Sequence, residues 1–456
     1  MDSSAKSTTP DGLSPGTAFA LLAEAVEAAQ PGDTIALVAC DADGNPRYYS
    51  GVTTLQTGRH RGITIMGANI EGETGESVLP VIRGLHPYYA GSTKDERREA
   101  WSSLPQILVL ANDVTIQNVE IECATGAAIA IGEVGGALVE NTKLINCRIH
   151  HCRGQAVYCV NAARTRIADA WIRICNDLEG SAAIEIHESR QCAIIDNVIN
   201  NPLKQATGGG VALTNSIGCT VDRNQIQQLT DHPGIRLAGT LQTSVDRNLI
   251  HDCGSGIEAV PSHRPTADIT VYSNIVAECH GDGISVQSPK LTRAIRLIYN
   301  TVRDCQGAGI LTSGQIRSSY ICNNALLNNT GFDLQVECES GLEIAYNAAR
   351  KGGVKPGLIE PTNGIELAVN ADGRVSKPQL LIDKNGNDPH DPENYEPLPD
   401  SSLRDSGRKV ALSINTNCAA AHPRNGSITD IGAVEYLPAA EKEALHRKLM
   451  HPEGEQ

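Results

Sequence analysis

The sequence predicts an all-β solenoid, a chain wound into stacked coils, and three observations lead to that fold class. A short phrase ending in asparagine occurs nine times between Asp113 and Asn347. Successive phrases are 23 to 28 residues apart, once the variant ARTRIADA, with Ala170 in the asparagine slot, is counted. Aromatic residues make up only 3% of the chain, too few for an ordinary large globular core. A short period repeated this often indicates supersecondary units that pack on their neighbours.

Two residue types recur with this period. Asparagine can bond its own turn and the same residue one coil away, as stacked amides do. Cysteine follows five or six residues later, and we interpret it as an inward packing residue, because no C-x-x-C pair or His/Cys cluster accompanies it. The asparagines are Asn118, Asn146, Asn197, Asn224, Asn248, Asn274, Asn300, Asn324 and Asn347. The cysteines are Cys123, Cys152, Cys253, Cys279 and Cys305.

Each coil is predicted to hold three short strands. Residues 269–287 read ITVYSNIVAECHGDGISVQ, with period-2 alternation inside the strands and asparagine or glycine at the corners. Leucine-rich repeats have a similar period, but these coils lack the L-x-x-L-x-L framework and a helical segment. The pattern favours a parallel β-helix of about ten or more three-strand coils over residues 11–350.

The two ends of the chain are predicted to differ from the coils. Ser14 can cap a helix with Pro15 in its first turn, and helical periodicity then runs to Pro31-Gly32. This predicted helix, 14–30, would cover the apolar end of the solenoid. Residues 351–436 are rich in Pro, Asp and Asn and are predicted to be a loop-rich segment that packs on the coils. Residues 437–456 are predicted to form a polar helical tail.

Residues 11–38 carry a DG-S-P-T-F start and an A-x-A-x-PGDTI run. This segment resembles the opening of right-handed parallel β-helix proteins of the pectate-lyase-like superfamily, and the superfamily's repeat pattern covers most of residues 107–347. The resemblance implies a carbohydrate-active protein, most often an enzyme that acts on an acidic polysaccharide by β-elimination, epimerisation or hydrolysis. The calcium-binding aspartates of pectate lyases, the adjacent aspartates of polygalacturonases and the tyrosine-and-DPH motif of alginate epimerases are all missing.

Composition limits the partners. The formal net charge is −15, the pI is about 5.3 and no dense basic stretch occurs, which argues against nucleic acid. No apolar run approaches the roughly 20 residues that cross a bilayer, so no membrane partner is expected. The start, MDSSAKSTTPDG, lacks the apolar core of a secretory signal. We therefore expect a cytoplasmic protein, a signal-independent export route, or a leader removed from the chain.

The repeat also fixes which side chains point outward. Aligned on their GIxV strands, the coils place one inward anchor each, at Ile129, Val157, Ile184, Val211, Ile235, Ile257, Ile284, Ile310 and Phe332. Because side chains alternate along a strand, the next residue of each coil points out. That outward column reads Ala130, Tyr158, Glu185, Ala212, Arg236, Glu258, Ser285, Leu311 and Asp333, and a second outward column carries His187, Thr214 and Gln287.

Polar residues cluster in the middle of these columns, between blander ends. We call Tyr158, Glu185, His187, Arg236, Glu258 and Asp282 the polar strip. Turn residues flank it, and those predicted to bind substrate are Arg190, His232, His263, Arg264 and Lys290. An ordinary exposed sheet with ion pairs, such as one between Arg236 and Glu258, is the alternative interpretation, although such pairs stabilise a fold little.

The superfamily's chemistry suggests roles for these residues. A base must remove the proton next to a uronate carboxylate, and a cation must neutralise that carboxylate as charge develops. His187 is the predicted base, Arg236 the neutralising cation and Tyr158 the proton donor. Glu185, Glu258 and Asp282 could instead hold calcium, with Asp282 the candidate ligand, or Glu185 and Glu258 could be the acid/base pair of a glycoside hydrolase. A non-catalytic glycan-binding or structural module is the remaining alternative.

Overall fold

The protein is described here by a computed structural model. The structure describes residues 11–12, 18–40, 44, 47–68, 70–71, 77–84, 104–173, 175, 181–201, 208–338, 341–350, 352–355, 361–372, 374–380, 392–404, 406 and 432. The predicted tail 437–456 lies outside these ranges, as does nearly all of residues 407–436.

The described chain is almost entirely β, and each regular coil contributes one strand to each of three parallel faces. Face 1 carries the strand that precedes the asparagine of each phrase, face 2 carries the strand that follows it, and face 3 carries the GIxV strands. Within these faces, strands pair only with the equivalent strand one coil away, which confirms the predicted parallel solenoid. Face 1 consists of Thr34–Val38, Thr64–Ala68, Thr115–Gln117, Lys143–Ile145, Arg166–Ala168, Ala193–Ile195, Thr220–Asp222, Leu241–Asp246, Ala267–Tyr272, Ile295–Ile298, Ser319–Cys322 and Leu342–Ala345.

Faces 2 and 3 are joined by two long strands, Gln225–Ala238 and Leu249–Val260, which run through both. The other strands of face 2 are Tyr48–Ser50, Val81–Arg83, Glu120–Glu122, Arg148–His150, Trp171–Arg173, Val198–Asn200, Ile275–Ala277, Thr301–Arg303, Ala325–Leu327, Ala348–Arg350 and Ile365–Leu367. The other strands of face 3 are Thr53–Leu55, Ile107–Val109, Ile129–Ile131, Val157–Val160, Ala182–His187, Gly209–Thr214, Ile284–Arg293, Ile310–Arg317, Leu334–Cys338 and Val354–Lys355.

A few short elements lie outside the three faces. Val139–Glu140 pairs with Ala162–Ala163 in parallel, and Ile70–Glu71 pairs with Ser77–Val78 in an antiparallel hairpin. A 3-10 helix spans Pro392–Tyr395.

An α-helix packs against the first coils, but it is shorter than predicted. It spans Leu22–Ala28 rather than residues 14–30, and residues 18–21 before it are not helical. The Glu24 carboxylate accepts a hydrogen bond from the Leu21 N–H at 3.3 Å, which satisfies one of the donors left open at a helix start. Leu22 and Val26 are buried in the core that also contains the first strands, so the helix covers the end of the stack.

A buried asparagine ladder connects the later coils. Its members are Asn197, Asn224, Asn248, Asn274, Asn300, Asn324 and Asn347. The side-chain Nδ2 of each of the first six members donates to the Oδ1 of the next member at 2.8–3.0 Å. Each Oδ1 after the first also accepts the backbone N–H of the preceding member. These bonds satisfy polar groups that would be costly to bury alone.

The predicted slots of Asn118 and Asn146 are wrong by one residue. Strand register places them one position earlier, level with Asp169, while Ala170 occupies the ladder slot as predicted. Both have left-handed backbone, with φ of 55° and 49°, which asparagine adopts more readily than most residues. Their amides bond each other at 2.8 Å near the surface. The first two phrases therefore use asparagine for its backbone and the later ones for its buried amide.

Most of the described cysteines line the interior of the solenoid. Thirteen fall within the described residues, none of them in a disulfide, and twelve of those are buried. The predicted column continues through Cys152, Cys253, Cys279 and Cys305, with Cys175 as a further member of the same corner. Cys123 is one position off, since Glu122 is level with His150 and φ of Cys123 is 55°. The thiols of this column pack the corner between faces 2 and 3.

The later coils carry a second, outer core on face 2. Leu249, Ile275 and Ala325 point away from the solenoid interior and are buried against Leu380 and Tyr395 of the segment that follows the repeats. This segment therefore covers face 2 from Leu249 onward, whereas Arg148, in the same outward column four coils earlier, is exposed.

Candidate functional site

Strand register on face 3 confirms the predicted alignment for eight of the nine anchors. Ile129 to Ile310 form one continuous inward column, and all eight are at most 1% exposed. Phe332 is wrong: the ninth position belongs to Leu334, and Phe332 is 38% exposed. The ninth outward position is accordingly Gln335. Asp333, predicted there, is fully buried and accepts the Arg350 N–H at 2.8 Å.

A carboxylate–histidine pair forms the centre of the polar strip. Glu185 and His187 are both on the outer side of the strand Ala182–His187, and His187 Nε2 lies 3.3 Å from Glu185 Oε2. Glu185 is only 8% exposed, yet both its oxygens have partners, because Oε1 accepts the Ala182 N–H at 2.9 Å and Oε2 accepts from Gln155 Nε2 at 3.1 Å. Glu185 is therefore held rigidly, and it orients the more exposed imidazole.

Tyr158 joins this pair from the preceding coil. It is level with Glu185 in the sheet, and its ring centroid lies 5.4 Å from that of His187, with the rings tilted by 47°. Burial, followed by the charge of Glu185, raises the pKa of the Tyr158 phenol above its ordinary value. The phenol therefore stays protonated at neutral pH and can donate a hydrogen bond or a proton.

Arg236 and Glu258 are level with each other on adjacent coils but form no ion pair. Glu258 Oε1 instead accepts the Ser255 hydroxyl at 2.6 Å. The exposed guanidinium of Arg236 has no hydrogen-bond or ion-pair partner among the described residues. The expected structural pair is thus absent from this part of the chain, and Arg236 presents a cation to solvent on the outer side of face 3.

The predicted flanking residues are spread over two edges of face 3. His232 lies in the strand Gln225–Ala238, and His263 and Arg264 are exposed in the connection after Val260. Arg190 lies at the corner between faces 3 and 1, where its Nη2 is 3.7 Å from Glu140 Oε1. The Lys290 side chain lies outside the described part of the structure.

Asp282, the candidate calcium ligand, lies in the corner before Ile284. Its Oδ1 accepts the Ala308 N–H of the next coil at 2.7 Å. It belongs to no cluster of three ligating side chains within the described residues. Calcium binding at Asp282 remains a prediction.

A second polar cluster, on face 2, was missed by the sequence reasoning. Glu120, Glu122 and His150 lie on adjacent coils with ligating atoms within 4.8 Å of one another. The signal was present as E-I-E and R-I-H, two short alternating strands that each follow an asparagine phrase. The alignment of the GIxV strands did not include face 2. The one-residue error at Asn118 and Asn146 also hid which side chains point outward in the strands that follow them.

Comparison with known proteins agrees with this architecture. A family model described as "Right handed beta helix region" matches residues 172–325 and 233–386. No curated protein sequence matches the chain. Together with the strand pairing described above, this match shows that the chain has the right-handed parallel β-helix fold.

Several solved structures have a similar fold at low identity. A complex of XylC with xylose is 12% identical over 78% of this chain and 83% of its own, with a TM-score of 0.51. The pectate lyase Pel9A is 12% identical over 96% of both chains, with a TM-score of 0.49. The A-module of the Azotobacter vinelandii mannuronan C-5 epimerase AlgE4 is 11% identical over 76% and 88%, with a TM-score of 0.44. At such identities the likeness concerns the fold.

Among the described residues, no helix is long and apolar enough to span a membrane.

Proposed function

We propose that this protein acts on an acidic, uronate-containing polysaccharide along face 3, by β-elimination or epimerisation. One observation carries the proposal: the His187–Glu185 pair contacts Tyr158 and lies two coils from the unpaired cation of Arg236. Both reactions begin with removal of the proton next to a carboxylate, so both need a base and a cation.

In this proposal His187 is the base. Glu185 is fixed by two further hydrogen bonds and holds the imidazole in one orientation, which a general base needs in order to reach a substrate proton. Tyr158 supplies the proton, either to the leaving glycosidic oxygen in elimination or to the opposite face of the sugar in epimerisation. Its raised pKa keeps that proton in place at neutral pH.

Arg236 neutralises the substrate carboxylate. At about 4.8 Å per coil, its Cα lies about 10 Å from that of Glu185, so a sugar between them can present its carboxylate to one and its acidic proton to His187. The chain is strongly acidic overall, and local cations must therefore supply the attraction for a polyanion. Exposed His263 and Arg264 lie in the connection that follows the next coil's strand and extend the same side.

The glycoside-hydrolase alternative has less support. Glu185 and Glu258 are three coils apart, about 14 Å between Cα atoms. Paired carboxyl groups in glycosidases are about 5–5.5 Å apart for retention and 6.5–9.5 Å for inversion. Each carboxylate is also held in place, Glu185 by Gln155 and Glu258 by Ser255.

The sugar-bound XylC complex supports a carbohydrate ligand for this fold, without indicating which one.

The test uses the full chain and a panel of polyuronates, with and without calcium. Ultraviolet absorbance follows the unsaturated product of elimination, and proton NMR follows epimerisation. His187→Ala and Arg236→Ala should each lower the rate by about 100-fold or more, the range for loss of a general base. Thr214→Ala is the matched control, because Thr214 is level with His187 one coil away and should leave the rate unchanged.

Other outcomes would contradict the proposal. Reducing ends without absorbance would indicate hydrolysis. Binding to a polyuronate with no product in any assay would indicate a non-catalytic glycan-binding module. Equal loss of activity in Thr214→Ala would show that the His187 and Arg236 effects are not specific to the proposed chemistry.

A further inference from the structure

Face 2 holds a compact group of ligating side chains. The corner between faces 2 and 3 separates it from the polar strip on face 3. Glu120 and Glu122 both point out from one three-residue strand, and His150 is level with Glu122 on the next coil. His150 Nε2 lies 3.1 Å from Glu120 Oε1, and His150 Nδ1 lies 4.0 Å from Glu122 Oε2. We propose that Glu120, Glu122 and His150 bind a divalent transition-metal cation.

The distances suit a shared ion. Zinc-sized ions bind imidazole nitrogen and carboxylate oxygen at about 2.0–2.2 Å, so two ligands of one ion are about 3 Å apart. His150 Nε2 and Glu120 Oε1 already have that separation. Glu122 has one atom within 4.8 Å of both, and a side-chain torsion of a single carboxylate would complete the set.

Burial supports a cation at this point. Glu122 is 5% exposed, and two carboxylates this close repel each other unless positive charge lies between them. Arg83 Nε supplies one charge but contacts only Oε1 of Glu122, which leaves Oε2 on the His150 side.

The position of His151 sets the direction of His150. The Nδ1 atoms of the two rings are 2.6 Å apart, so one of them donates a proton to the other. When His150 is the donor, its Nε2 presents a lone pair to Glu120, whose ionised oxygen is also an acceptor. The tautomer with a proton on Nε2 donates to Glu120 without a metal, whereas in the tautomer with a proton on Nδ1 a cation between the two acceptors, 3.1 Å apart, removes their repulsion. His151 then acts as a positioning residue, as outer partners of metal-bound histidines do.

The donor types select the ion. One imidazole nitrogen and two carboxylates suit zinc or manganese, whereas calcium takes oxygen ligands only. Three protein ligands leave coordination positions open, as in sites whose metal contacts a further molecule. Arg148 and Arg173 are level with Glu120 and His150 on the neighbouring coils. They favour an anionic group as that molecule.

The test is calorimetric titration of the chelator-treated full chain with zinc, manganese and calcium ions. We expect one zinc or manganese site per chain and no calcium binding that depends on these residues. Glu122→Gln and His150→Ala should weaken binding by more than about 100-fold, and His151→Ala by roughly 10–100-fold. Circular dichroism establishes that each variant keeps its β-sheet content.

His251→Ala is the matched control, since His251 is in the same outward column and also pairs with one glutamate, Glu278, at 3.2 Å. It should bind metal like the unchanged chain. Cobalt provides a second readout: nitrogen and oxygen ligation gives weak visible bands without a thiolate charge-transfer band. A thiolate band, equal weakening by His251→Ala, or unchanged binding in folded Glu122→Gln would each overturn the proposal.

Discussion

Removal of one amide from the asparagine ladder should destabilise the solenoid far more than removal of a surface asparagine in the same repeat. Asn274 is fully buried. Its Oδ1 accepts from both the backbone N–H and the Nδ2 of Asn248, each at 2.9 Å. Its own Nδ2 donates to Val245 O at 2.8 Å and to Asn300 Oδ1 at 3.0 Å. Asn274→Ala removes all four of these hydrogen bonds, together with a longer one from Nδ2 to Tyr272 O at 3.2 Å.

The expected cost follows from those four bonds. A typical intramolecular hydrogen bond contributes about 0.5–1.5 kcal/mol net, and a buried donor left without an acceptor costs about 1–3 kcal/mol. The Asn248 N–H is left in that state, while Asn248 Nδ2 keeps the carbonyls of Val221 and Asp246. Asn274→Ala should therefore lower the free energy of unfolding by about 4 kcal/mol.

Urea unfolding followed by circular dichroism measures this change, and amide hydrogen exchange locates it. Coils contact only their neighbours, so exchange should accelerate mainly at the coils next to Asn274. Asn146→Ala is the matched control. The side chain of Asn146 is exposed, and its amide bonds one other asparagine, Asn118. This substitution should cost about 1–2 kcal/mol, because alanine adopts the left-handed backbone of this position less readily than asparagine does, and this remains well below the cost at Asn274. Equal destabilisation by the two substitutions, or a cost below about 1 kcal/mol for Asn274→Ala, would refute the reasoning.

Two further predictions concern buried groups. Burial raises the pKa of Asp246 to about 7, so the folded state favours its neutral form. Stability from this group is complete below its unfolded pKa of about 3.9 and is lost as pH rises to 7, a fall of up to about 4 kcal/mol. Asp246→Asn should reduce the change of the urea unfolding midpoint between pH 4 and 8. The same change of the midpoint with pH in Asp246→Asn as in the unchanged chain would contradict this. In Gly256→Ala, the new Cβ would lie 2.3 Å from both Gly283 O and Val276 Cγ1. We expect a loss of about 1–3 kcal/mol from overpacking, and a wild-type thermal midpoint would show that the coil accommodates it.

The period and the inward anchors of the fold could be predicted because stacking makes each coil repeat its neighbour's pattern. Eight anchors on face 3 were placed correctly from their GIxV strands. The ninth failed because the connection before Leu334 places Phe332 outside the strand. The error was of two residues, so buried Asp333, which precedes the strand, was assigned to the outward position that belongs to Gln335.

The candidate site was predictable in its columns but not in its contacts. Side-chain alternation placed Glu185 and Arg236 on the same side. It could not show that Glu185 bonds His187 along its own strand, or that Glu258 takes Ser255 instead of Arg236. Prediction of the face 2 cluster would have required the register of strands that are only three residues long. That register was obscured because asparagine has two roles in this repeat, left-handed backbone at Asn146 and buried amide at Asn197.

The buried thiols can be used to locate where the stack of coils opens during unfolding. Burial raises the pKa of Cys147 and Cys253 to about 12, so these groups stay in the unreactive thiol form while their coils are closed. Because the cysteines are distributed along much of the stack, alkylation of each one would report when its own coil opens. The order in which they react would reveal whether the solenoid unzips from one end or breaks in the middle.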